Sequence, residues 1–180
     1  VQNANVQFNC CNVRSGCLVV MEVGDLCKHE EGCSFRPVRC PLSKKKETYK
    51  TFENHMTQDH KVEKSDDEIV PGAGFFQAFN VKHEEMQGDS HWVWKGMQFT
   101  LPSGEKFYST LDRVNGVWYF GLHSTDAKEW KVSIKAEGEG SEYGVKFQCP
   151  VNPIDSSANG LSETGNCLAL LDKTVEKITK

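Results

Sequence analysis

Six of the eight cysteines in this 180-residue chain fall in its first 40 residues: Cys10, Cys11, Cys17, Cys27, Cys33 and Cys40. Only Cys149 and Cys167 lie beyond them. A segment of 40 residues cannot bury enough apolar surface to fold by burial alone, so cross-links or ions must supply what a core does not. The skew therefore predicts two unlike parts. One is short and held through its cysteines; the other is longer and folds in the ordinary way.

Disulfides and metal ligation are the two ways cysteines can hold a short segment. The chain starts Val1-Gln2-Asn3-Ala4, with no basic n-region and no apolar h-region, so the sequence carries no sign of a signal peptide. Without an initiator Met, the chain reads as a fragment or a processed form. The cysteines are interleaved with histidines, and the spacing fits a four-ligand site. Both features favour metal.

Cys10, Cys17, His29 and Cys33 form the pattern C-x6-C-x11-H-x3-C. Two thiolates close a small loop, while His29 and Cys33 stand one helical turn apart. Together they can complete a closed tetrahedral Zn²⁺ site, which is structural and not catalytic. Cys11 is the alternative to Cys10, and Asp25 or Glu30 is placed to orient the ring of His29. Cys40, His55 and His60 offer a second, degenerate site with three ligands. Glu47, Asp59, Cys27 or water is available as its fourth. Cys11 and Cys27 otherwise read as bystander thiols.

Residues 48–60 predict a helix, with Tyr49, Phe52 and Met56 recurring at three and four. Leu18–Met21 is a short strand-like run. A charge run followed by Pro71-Gly72-Ala73-Gly74 marks a linker over 61–74. Beyond it the pattern is strands: Phe75–Val81, Trp92–Leu101, Glu105–Val114, Val117–Ser124, Trp130–Ala136 and Tyr143–Val151. Asn115-Gly116 is the strongest turn signal, because both central positions of a type I′ hairpin need positive φ. Cys167–Leu171 is a last strand, and Asp172–Lys180 turns helical. The fold class expected is an α+β zinc-finger module over 1–64, followed by an all-β antiparallel sandwich over 65–180.

Charge narrows the function. Residues 1–64 carry a net of +2 and residues 65–180 a net of -6, so neither half has the basic field that phosphate binding needs. Lys44-Lys45-Lys46 reads as a solvated loop. No run approaches the roughly 20 apolar residues of a membrane helix. A hydrolase using Cys149 or Cys167 with His91 or His123 has no nucleophile motif behind it.

The chain resembles the Seven-in-absentia (Sina/Siah) family of ubiquitin ligases. Phe8-Asn9-Cys10-Cys11-Asn12-Val13-Arg14-Ser15-Gly16-Cys17 looks like the start of the Siah-type zinc finger. His29-Glu30-Glu31-Gly32-Cys33-Ser34-Phe35-Arg36-Pro37-Val38-Arg39-Cys40-Pro41 is similar to the family's H-x3-C-x-[YF]-R-P-x-x-C-P signature. The stretch from Phe52 to His60 matches the helix of its second finger. Asp67-Glu68-Ile69-Val70 and Asn166–Leu170 followed by Asp172 resemble, more weakly, the family's linker and a late strand of its TRAF-like sandwich. There are three departures. Glu47 stands where the second finger normally has a cysteine, the loop to His55 is shorter, and the family would have one more strand after Val175.

The resemblance implies a protein-binding module that selects substrates or partners for ubiquitination, with an E2 engaged only through an upstream RING. A RING needs its own C-x2-C and C-x-H arrangement, and no C-x2-C pair occurs in this chain. The alternatives are a RING-less scaffold of the same family and a zinc-finger nucleic-acid binder, the last disfavoured by charge. The resemblance also implies a homodimer in the cytoplasm and nucleus, with no catalytic residue in this chain. The binding mode expected is capture of an extended peptide in a β-strand groove. Trp92, Trp94, Met97 and Phe99 are its candidate anchors, with a period-2 core position as the competing reading of the same residues.

Overall fold

The computed structural model describes residues 6–65, 91–94, 96–125, 130–137, 144–154 and 161–178, and for 91–94, Glu176 and Ile178 the backbone alone. The expected strand at 75–81 and most of the expected linker lie outside the described residues.

The N-terminal region is built from short pieces. Strand β1 (Gln7–Asn9) pairs antiparallel with β2 (Val20–Glu22), and a 3₁₀ turn over Cys11–Ser15 lies between them. Gly16 ends that turn at φ 104°, a left-handed conformation that glycine adopts without strain. Helix α1 (Val23–Gly32) follows directly. The buried cluster of this region consists of Cys10, Cys17, Cys33 and Leu26, while Val6, Phe8, Leu18, Val20 and Val23 stay exposed. With one aliphatic side chain among three thiols, burial cannot stabilise this segment, and metal binding must.

Strand β3 (Pro37–Arg39) and β4 (Lys46–Thr48) form a second hairpin, and helix α2 (Tyr49–Gln58) leaves it at once. Thr48 caps α2 in a reciprocal capping box with Thr51, which satisfies N–H groups that the first turn cannot pair. The buried face of α2 is Phe52, His55 and Met56, at the expected three-and-four spacing.

The rest of the described chain is predominantly β. Its strands are β5 (Glu63–Lys64), β6 (His91–Trp94), β7 (Met97–Thr100), β8 (Lys106–Val114), β9 (Val117–Ser124), β10 (Lys131–Glu137), β11 (Gly144–Pro150), β12 (Asn152–Pro153) and β13 (Leu168–Leu171). A short helix, α3 (Leu161–Thr164), precedes β13, and α4 (Asp172–Ile178) follows it. Seven strands make one sheet: β12, β9, β8, β7 and β5 in order, with β13 beside β12 on β9 and β6 beside β7 on β8. β10 and β11 form a separate antiparallel ribbon. The β8–β9 hairpin turns through Asn115 and Gly116 at φ 51° and 77°, as the Asn-Gly signal requires.

Two details differ from a purely antiparallel reading. β5 pairs with β7, and β12 with β9, in parallel, so the sheet is mixed. The expected single strand from Trp92 to Leu101 is broken into β6 and β7. Trp94 pairs with Leu111, and Gln98 with Tyr108, so four steps on one strand face three on the other. That count is a β-bulge. It centres on Gly96 at φ 76°, where a Cβ would sit 1.8 Å from the Ser109 carbonyl oxygen.

The sheet is covered on both faces. Leu111, Trp118, Leu168 and Leu170 on one face pack on Ile134, Ala136 and Val145 of the β10–β11 ribbon. The opposite face carries Tyr108, which enters a cluster with Val38, Cys40, Phe52, Met56, Val62 and Ile154. The hairpin and helix of residues 37–58 therefore share a core with the sheet. Arg36 reinforces this by donating to the Thr125 carbonyl at 3.0 Å, and Glu53 pairs with Lys64 and Lys106.

Candidate metal centre

Helix α1 places the third and fourth donors of the first cluster. His29 is in its last turn, and Cys33 is its C-cap, with the Cys33 N–H donating to the Glu30 carbonyl. The 3₁₀ turn places the other two: Cys10 is its N-cap, and Cys17 follows Gly16. As a result Cys10, Cys17, His29 and Cys33 point their ligand atoms to one spot, all within 4.8 Å of one another. Cys10 Sγ lies 3.8 Å from Cys33 Sγ, and Cys17 Sγ lies 3.3 Å from His29 Nε2. A tetrahedral zinc with Zn–S of about 2.3 Å and Zn–N of about 2.0 Å has edges of roughly 3.8 Å between sulfurs and roughly 3.5 Å between sulfur and nitrogen. The donor set and its spacing fit zinc.

Cys10 and not Cys11 joins this cluster: Cys10 is fully buried and Cys11 exposed. The neighbouring Glu30 carboxylate pushes the Cys11 thiol up to about 11, which keeps it protonated. Glu30 does not orient His29. Its carboxylate accepts the Cys11 backbone N–H at 2.7 Å and so fastens the cysteine loop to α1. That bond lowers the Glu30 carboxyl below its usual range.

The second cluster is Cys40, His55 and His60. Cys40 Sγ lies 3.2 Å from His60 Nε2, which lies 3.1 Å from His55 Nε2. Tetrahedral edges are roughly 3.5 Å for sulfur–nitrogen and 3.3 Å for nitrogen–nitrogen, so these three also converge at zinc-like spacing. Asp59 Oδ2 sits 2.7 Å from His55 Nδ1, the nitrogen that faces away from the cluster. A carboxylate there fixes the ring and its tautomer, as ligating histidines usually require.

The remaining candidate residues separate clearly. Cys27 is exposed on α1. Lys44, Lys45 and Lys46 are exposed at the tip of the β3–β4 hairpin, where Lys45 pairs with Glu47 at 2.9 Å. Burial raises the thiol of Cys149, and raises that of Cys167 to about 11. Burial also lowers His123 to about 3. Protonated thiols and a buried neutral imidazole are packed groups without activated-nucleophile character. Of the expected partner-binding anchors, Phe99 is a core side chain, 3% exposed beside Leu101 and Phe107, and Met97 is half-buried against them. The side chains of Trp92 and Trp94 lie outside the described residues.

Compact Cys/His clusters on short hairpins and helices, joined to a β body, define a zinc-binding module of the zinc-finger class. Residues 2–70 match the family model described as Sina, zinc finger. The N-terminal segment of this chain is thus a Sina/Siah-type zinc finger. No curated protein matches the chain.

Proposed function

We propose that the chain is a protein-recognition module: a Sina-type zinc-finger segment joined to a TRAF-like β-sandwich that captures proteins destined for ubiquitination. The observation that carries this reading is the match of residues 2–70 to the Sina zinc finger, on a segment whose Cys and His donors converge. The body supports it, since a mixed sheet covered by an antiparallel ribbon provides the rigid scaffold a recognition module needs. An E2 is engaged only through a RING elsewhere in the same protein or assembly, and the module acts as a homodimer in the cytoplasm and nucleus. A RING-less adaptor is the same reading without that partner.

Capture works by β-augmentation at β6, because β7 already carries β5 on its far edge. Main-chain hydrogen bonds give affinity there, and flanking pockets give sequence preference. Peptide display against the zinc-loaded chain is expected to select a consensus motif, and Trp94→Ala to abolish binding of that peptide with the fold intact. Unchanged peptide binding by Trp94→Ala would end the groove assignment. Selection of no peptide, with salt-sensitive retention of RNA or DNA at physiological salt, would replace protein recognition with nucleic-acid binding.

A further inference from the structure

We infer that the fourth donor of the second metal site is an oxygen at a solvent-facing corner, supplied by the Ser43 hydroxyl, and that this site is consequently the exchangeable one of the two. The inference rests on the second cluster accepting zinc, and its test distinguishes failure of that premise from failure of the Ser43 assignment.

Ser43 Oγ lies 3.4 Å from His55 Nε2, the same nitrogen that faces His60 and Cys40. A tetrahedral zinc with nitrogen and oxygen donors has an edge of roughly that length. The loop is fastened in place by the Ser43 backbone N–H, which donates to Cys40 Sγ at 3.4 Å. Ser43 is exposed, whereas Cys40 and His55 are buried. Cys40 and His55 thus close the protein side of the site, half-buried His60 stands at its edge, and Ser43 is on the water side.

The other candidates are directed elsewhere. One oxygen of Glu47 is held by Lys45 at 2.9 Å, and the other accepts from Thr51 Oγ1 at 3.0 Å. Glu47 approaches His55 only at Nδ1, at 3.8 Å, and Asp59 binds that same nitrogen. A group on Nδ1 cannot coordinate an ion held by Nε2 of the same ring. Met56 Sδ lies 3.8 Å from Cys40 Sγ, but it is fully buried in the core, and a thioether is a poor zinc ligand.

The chemistry of the donor set sets the consequence. Three thiolates and an imidazole give the first site a net charge of -1 with Zn²⁺. One thiolate, two imidazoles and a neutral hydroxyl leave the second at +1. The weaker oxygen donor and its open approach favour exchange with water or an incoming chelator.

The test follows zinc transfer from the full zinc-loaded chain to a chromophoric chelator. The chain is expected to hold about two zinc ions, one released fast and one slowly. Ser43→Ala should accelerate the fast phase, and Ser43→Cys should slow it by roughly tenfold or more, because a thiolate replaces the hydroxyl. With Co²⁺ in place of zinc, Ser43→Cys should add thiolate charge-transfer absorbance, a gain that misfolding cannot imitate. Glu47→Ala should leave the fast phase unchanged. A fast phase indifferent to both Ser43 variants would overturn the assignment, as would one abolished by Glu47→Ala. One slowly released zinc in the parent chain would remove the premise and leave the first site standing.

Discussion

The Phe52 ring meets the Tyr108 ring edge-on, with centroids 5.3 Å apart and planes at 86°. Phe52 belongs to helix α2 of the finger region and Tyr108 to the middle of the sheet, so one aromatic pair joins the two. Both side chains are almost fully buried, at 1% exposure each. Truncating a buried Phe typically costs about 3–5 kcal/mol. Phe52→Ala should therefore destabilise the sheet as well as the finger, with hydrogen-exchange protection falling in β8 as well as α2. Loss confined to α2 would show that the shared cluster does not couple them.

The first finger behaves differently. Its cluster of Cys10, Cys17, Cys33 and Leu26 is separate from the one containing Phe52. Cys33→Ser should release one zinc and collapse exchange protection over about residues 6–35, since a structural zinc supplies the folding energy of such a segment. Protection in α2 and β8 should persist. Its loss there would make the whole chain a single cooperative unit.

Gly96 sits at the bulge between β6 and β7 with φ 76°, and a Cβ there would clash with the Ser109 backbone. A backbone atom cannot swing aside as a side-chain tip can. Gly96→Ala should cost at least about 2 kcal/mol, visible as a lower urea midpoint. An unshifted midpoint would mean that the bulge is not a fixed feature of this sheet.

Asp172 anchors α4 to the sheet. Its carboxylate accepts from Arg113 at 3.0 and 2.7 Å and from Trp118 Nε1 at 2.6 Å. Arg113, and then the Trp118 donor, hold this carboxyl below its usual range. A lowered folded-state value contributes stability above the unfolded value of about 3.9, and that contribution disappears as pH falls through the folded value. Asp172→Asn should cost roughly 1–2 kcal/mol near neutral pH. The gap between parent and variant should then narrow on going below about pH 4. A gap that widens in acid would reverse the assignment.

Local features were the legible ones. The C-x6-C-x11-H-x3-C spacing named the first cluster, because a 3₁₀ turn and one turn of α1 are short-range geometry. Asn115-Gly116 and the Tyr49–Phe52–Met56 spacing located a hairpin and a helix for the same reason. Long-range pairing was not legible. Nothing in Glu63-Lys64 announces a parallel pairing with Met97-Gln98, and nothing in α2 says that its Phe52 face meets a sheet. Ser43 was missed because hydroxyls carry no ligand signature in sequence, although its place three residues after Cys40, on the hairpin loop, was a usable clue.

The central claim is that Cys10, Cys17, His29 and Cys33 hold a zinc ion that builds the first finger. Elemental analysis of the purified chain beside its Cys33→Ser variant tests it most directly. The account predicts zinc in the parent and about one zinc fewer per chain in the variant. A parent without zinc, or a variant with the same zinc content as the parent, would contradict it.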